Sequence, residues 1–161
     1  DIEAVIGRTK EDTVFELTAA LSRRSVTAAL GTLQELLDQG LHPLMLMTMI
    51  TREIRFLFQA KILFASGRAG SFSSEMDYGR FQKTVYPAIR KLANDETTAI
   101  ALVSQHPFVV YQALKNAGRF TREELADYLD LLAVTDLAIK TTGRDARLLL
   151  ERFLITVCKS R

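Results

Sequence analysis

Apolar residues recur along this chain at intervals of three and four, the spacing that lines one face of an α-helix. Val14, Phe15, Leu17, Thr18 and Leu21 follow Thr9 and Asp12, a capping-box-like pair, and predict a helix from Lys10 to Ser22. Val26, Ala29, Leu30, Leu33, Leu36 and Leu37 predict a second, capped by Ser25 and ended by Gly40. Only a few residues separate the two, so they form a helical hairpin. Before them, Asp1–Gly7 reads as a single short turn of helix with Gly7 as its stop.

Pro43 suits the first turn of a third helix, where its missing N–H would have no partner anyway, and the pattern then runs without a breaker to Ser66. At 1.5 Å per residue this spine is about 36 Å long. Its first two turns (Leu44, Met45, Leu46, Met47, Met49, Ile50) are apolar in nearly every direction, which predicts enclosure by other helices, with the flexible methionines filling core gaps. Arg52, Glu53 and Arg55 interrupt the apolar run short of the roughly 20 residues a bilayer span needs. The glycines and serines from Gly67 to Gly79 predict a flexible loop. Tyr78–Thr84 and Pro87–Ala93 are short helices divided at Tyr86-Pro87. Pro107 starts a helix that Gly118 stops. Thr121 and Glu124 form a capping box for a long helix ending near Thr142-Gly143, with Leu125, Leu129, Leu132 and Ile139 spaced down it. A last helix runs from about Asp145 to Lys159, with Leu149, Leu150, Phe153, Leu154 and Val157 inward and Arg147 and Glu151 spaced for an exposed pair. No stretch alternates at strand period. The expected fold class is all-α, a bundle of about seven or eight helices around a long central helix over 43–66.

Composition agrees with one folded globular domain: 161 residues, 48% hydrophobic and 25% charged. Cys158, the sole cysteine, cannot form an internal disulfide and suits a small core residue in a reducing compartment. The chain opens at Asp1 without a methionine or a signal-like segment, as expected of a piece of a longer cytoplasmic protein. The net charge of +2 is uneven. From Ile139 onward Lys140, Arg144, Arg147, Arg152, Lys159 and Arg161 face only Asp145 and Glu151. That end could touch nucleic acid, although cations near helix C-termini also offset the helix dipole.

The chemistry of catalysis is not found. There is no glycine-rich phosphate loop followed by Lys and Ser or Thr, no nucleophile elbow and no HExxH. His42 and His106 each precede a proline at a helix start and have no second ligand at metal spacing. No cofactor and no metal are expected. Asp136 and Lys140 stand four apart in the stabilising acid-first order, which at an exposed site contributes about 0.3–0.5 kcal/mol.

The order of several segments is more specific than any one of them. Val14-Phe15-Glu16-Leu17, then Leu36-Leu37-Asp38-Gln39-Gly40 ahead of Pro43, then Ile50-Thr51-Arg52-Glu53-Ile54-Arg55, His106-Pro107-Phe108-Val109-Val110 and Asp136-Leu137-Ala138-Ile139-Lys140-Thr141 succeed one another toward Leu150-Glu151. In that order they resemble the C-terminal collar domain of the bacterial DNA polymerase III clamp-loader δ subunit. The region from Gly67 to Gln105 departs from that pattern by being longer. The resemblance implies that 1–9 is the tail of a preceding lid domain and 10–161 a helical oligomerisation domain, which packs beside other loader subunits (the ATPase subunits and δ′) and has no turnover of its own. Contact with the sliding clamp and with DNA would come through the full-length protein or complex, not through a membrane. The residues expected at the subunit interface are Arg52, Arg55, Phe56, His106, Pro107, Phe108, Asp136, Lys140 and Arg144. The alternative is a helical nucleic-acid-binding module that uses the basic C-terminal segment.

Overall fold

The computed structural model describes residues 10–95 and 100–159, with side chains from Thr13 onward. The short turn expected over 1–7, the Thr9–Asp12 cap and Arg161 lie outside the described residues. Within them the chain forms eight α-helices: α1 (Lys10–Ser22), α2 (Val26–Asp38), α3 (Pro43–Ala65), α4 (Tyr78–Thr84), α5 (Tyr86–Ala93), α6 (Pro107–Ala117), α7 (Arg122–Thr141) and α8 (Ala146–Lys159). A 3-10 turn, Ala101–Ser104, precedes α6, and no strand occurs among the described residues. The all-α expectation holds. The chain divides into two compact units, one of the residues through Arg52 and from Asp127 onward, the other Glu53–Ala126.

The first unit is built on aliphatic stripes. α1 buries Thr13, Val14, Leu17, Ala20 and Leu21, α2 buries Ala29, Thr32, Leu33 and Leu36, and α8 buries Leu150, Phe153, Leu154, Val157 and Cys158. Each set has the 3.6-residue period, and α1 and α8 both pack on α2. Phe15, placed in the stripe by its sequence neighbours, is instead exposed, because it lies a third of a turn from the line through Val14, Leu17 and Leu21. α2 ends in a Schellman motif: Leu41 N–H donates to Leu36 O and Gly40 N–H to Leu37 O, with Gly40 at φ +88°. α1 ends the same way, with Ser25 N–H on Ala20 O and Arg24 N–H on Leu21 O. There the left-handed position is held by Arg24 at φ +58°. Ser25 stands at the N-cap of α2 but its side chain makes no capping hydrogen bond. With its N–H drawn into the turn that ends α1, it serves as a connector. Asp145 Oδ1 accepts from Arg147 N–H and caps α8, while the Arg147 guanidinium reaches Glu151 at 3.5 Å and Asp38 of α2 at 3.9 Å.

The second unit is held by aromatic rings and by two hydrogen bonds between distant segments. Phe81 is fully buried, and its ring lies 5.4–6.3 Å from those of Phe72, Tyr78, Tyr86 and Tyr111. Phe72 also meets Phe64 of α3. The Tyr111 hydroxyl donates to Met76 O at 2.7 Å in a buried setting. Leu102 N–H donates to Gln59 Oε1 at 2.9 Å, tying the 3-10 turn to α3. The segment expected to be a flexible loop is therefore anchored: Ala69 and Met76 are buried and Phe72 sits among the rings. Its glycines and serines shape turns at the surface, while every third or fourth residue points inward. α4 is capped by Asp77, whose Oδ1 accepts from Arg80 N–H at 2.8 Å. At the start of α7, Thr121 N–H donates to Glu124 Oε2 and Glu124 N–H to Thr121 Oγ1, the reciprocal pair expected of a capping box.

Candidate interaction surface

α7 buries Leu125, Tyr128, Leu132 and Thr135 along one line. Leu129 and Ile139, expected on that line, are only partly covered. Apolar residues also occupy the other side of the helix: Val134 is 65% exposed and Leu137 61%. They stand three apart, so their side chains share a face. Asp136 and Lys140 lie beside them, joined at 2.8 Å with side chains 38% and 54% exposed. Arg144 is exposed beyond the helix end, its N–H 3.3 Å from Thr142 Oγ1. The Asp136–Lys140–Arg144 segment named from sequence therefore lies beside an uncovered apolar pair. Val134 was missed because a valine at helical spacing reads as core; its offset from the Leu125–Leu132 line was the available signal.

On α3, Met45, Thr48, Arg52 and Arg55 are exposed and follow one another at helical intervals. Met45, 54% exposed, shows that the first turns of the spine are not enclosed all round, whereas Met47 beside it is buried. Phe56 is only 6% exposed and, like Leu57 and Ala60, is buried rather than on a free surface. His106 is exposed and its Nδ1 accepts from Phe108 N–H at 3.1 Å. Pro107 occupies the first helical position, and the half-buried Phe108 ring stands 5.2 Å from that of Tyr78. His42 repeats the arrangement before Pro43, with Nδ1 accepting from Leu44 N–H at 3.1 Å. Both histidines act as helix caps, as their place before proline suggested.

The basic C-terminal segment is partly neutralised, since Lys140 pairs with Asp136 and Arg147 with Glu151 and Asp38. Burial raises the pKa of the Cys158 thiol, with the positive charge of Arg24 acting in the opposite direction. The net effect keeps the thiol protonated and a poor nucleophile. Among the described residues no cluster of three or more His, Cys, Asp or Glu side chains is placed to hold a metal ion, and no helix is long and apolar enough to cross a membrane.

Comparison with known proteins agrees with this architecture. The family model described as the C-terminal domain of the DNA polymerase III delta subunit matches residues 11–81 and 88–157. The DNA polymerase III subunit delta of Bacillus subtilis is 29% identical over 159 residues, which is 99% of this chain but 38% of that protein. The solved structure of the Bacillus subtilis DNA clamp loader delta protein superposes with a TM-score of 0.68 at 27% identity, covering 98% of this chain and 39% of that one. This chain thus spans less than half the length of the relatives it matches. Within that span, with the order of helices and most of the residues matched, it belongs to the family formed by the C-terminal domain of DNA polymerase III delta.

Proposed function

We propose that this chain is a collar module: the helical domain through which a clamp-loader δ subunit packs against its neighbours, the ATPase subunits and δ′, with no catalytic turnover of its own. In this reading residues 1–9 are the end of a preceding lid domain, and 10–161 form the oligomerisation domain of a cytoplasmic protein. Its service to replication is assembly of the loader that places the sliding clamp on DNA, and clamp and DNA are handled by the full-length protein or the complex.

The observation that carries the reading is the face of α7. Val134 and Leu137 leave apolar surface in water beside an exposed ion pair, the composition of an interface centre with a polar rim. Arg52 and Arg55 on α3 and His106 to Phe108 at the start of α6 are further candidate contacts. Phe56 drops out because it is buried.

The test uses the full-length protein with purified ATPase subunits and δ′, followed by size exclusion with light scattering. Val134→Asp/Leu137→Asp is expected to abolish co-elution while leaving the helical circular dichroism unchanged. Wild-type protein that fails to co-elute would sink the collar reading. A double variant that assembles normally would move the interface away from α7.

A further inference from the structure

Between Tyr78 and Ala93 the chain carries Arg80, Lys83, Arg90 and Lys91 and no acidic residue. These positions are α4 and α5, which pack on each other, and all four cations are exposed. No ion pair engages any of them among the described residues, in contrast to Lys140 and Arg147 of the C-terminal segment. The nearest preceding carboxylate, Asp77, caps α4 through Oδ1 and makes no ion pair with these four cations. Phe81, Val85 and Ile89 are buried and fix the helix pair to its unit, so the charges project from an ordered base.

From this we infer that α4 and α5 form a contact surface for the phosphate backbone of DNA. The helix dipole accounts for some of the placement, because Lys83, Arg90 and Lys91 fall in last turns. It does not account for Arg80, nor for the lack of any compensating carboxylate on the two helices. An acidic protein would be the other class of partner. Protein interfaces are centred on apolar or aromatic anchors, and none of the large exposed hydrophobic residues lies between Tyr78 and Ala93, whereas α7 has two. Polyanion binding needs only cations at phosphate spacing and a route for counterion release. Gln82 on α4 is exposed and, beyond the amide hydrogen that meets the Tyr78 hydroxyl, has a second neutral donor suited to a phosphate oxygen. The family match passes over residues 82–87, the junction of the two helices, which holds Lys83, while Arg80, Arg90 and Lys91 lie in the matched segments. The inference goes beyond the collar reading and does not depend on which face of α7 meets a neighbouring protein.

Full-length protein is titrated into fluorescein-labelled oligodeoxythymidylate and, separately, labelled duplex DNA, with anisotropy read across a salt series. Arg80→Ala/Lys83→Ala/Arg90→Ala/Lys91→Ala is expected to weaken binding at least about 10-fold near 0.1 M salt and to flatten the slope of log K against log salt by about 3, as loss of four phosphate contacts requires. Arg80→Lys/Arg90→Lys is expected to keep the wild-type slope, which separates lost charge from lost fold. Arg144→Ala/Arg152→Ala/Lys159→Ala is expected to change it by less than the quadruple variant. An unchanged slope in the quadruple variant, or a greater loss in the C-terminal variant, overturns the proposal. So does a quadruple variant that binds DNA normally but no longer co-elutes with loader subunits, which would make the surface a protein contact. Normal co-elution with reduced DNA binding is the supporting result, and it leaves the collar test independent.

Discussion

The two units reach the same secondary structure by different means. In the first, α1, α2 and α8 bury continuous aliphatic lines, and a surface ion pair joins Arg147 of α8 to Asp38 of α2. In the second, short helices and a long connection are drawn around Phe81, and buried polar groups bridge residues 35 and 43 positions apart. Length is the physical reason for the difference. Helices of 13 or 14 residues present several turns of apolar surface to one another, while α4 and α5, at 7 and 8, cannot. Large rings then supply the area that short helices lack, and side chains that reach across the unit satisfy the backbone groups left over.

Phe81→Ala tests this comparison most severely. The ring is fully buried and touches four others, so removal is expected to cost about 3–5 kcal/mol in denaturant unfolding. Amide hydrogen exchange should rise first across Glu53–Ala126. Equal acceleration in both units would show that they unfold together and that the division has no energetic meaning. Tyr111→Phe comes next. It keeps the ring and deletes the donor to Met76 O, leaving a buried carbonyl without its partner, for about 1–3 kcal/mol. Proteolysis is expected to begin within 66–77; a variant as resistant as wild type would mean that Phe72 and Met76 packing alone hold that connection.

The same contrast decides what the sequence made legible. In the first unit, the stripes Val14–Leu17–Leu21 and Leu150–Leu154–Val157 announced both the helices and their inward faces, since period and burial coincide. In the second, Gly67, Gly70 and the serines drew attention to mobility, yet Phe72 and Met76 are held by Tyr111, at least 35 positions away along the chain. No local pattern carries that information. On the candidate surface, Asp136 and Lys140 are paired as their spacing implied, whereas Phe56 is buried and Val134 is exposed. A single apolar residue on a helix is assigned to a face only when the true buried line is known, and here that line includes Tyr128 and Thr135.

Arg24 offers a smaller change within the better-read unit. α2 and α3 each close with a glycine in the left-handed region, Gly40 and Gly67, but α1 closes with Arg24 at φ +58°. A residue with a Cβ is strained there by about 1–2 kcal/mol, and glycine returns part of that gain through its freer unfolded chain. Arg24→Gly is therefore expected to stabilise the protein by about 0.5–1 kcal/mol, read as a higher denaturant midpoint at unchanged slope. Destabilisation would show that the contacts of the arginine side chain outweigh the backbone strain.

The smallest effect belongs to Asp136→Asn. The Asp136–Lys140 bond is short, at 2.8 Å, but the side chains are 38% and 54% exposed, and an ion pair in that setting is screened and entropically costly to hold. We expect the fold to lose no more than about 0.5 kcal/mol, indistinguishable from a neutral surface change. If the first unit is held by its aliphatic lines, this is the required result, and a loss above about 1 kcal/mol would assign surface charge a role that exposed pairs do not ordinarily have. The same variant also separates fold from assembly. A pair that contributes almost nothing to the isolated chain gains strength once a partner removes the surrounding water, so reduced co-elution with loader subunits at unchanged stability would place Asp136 within the contact that α7 makes.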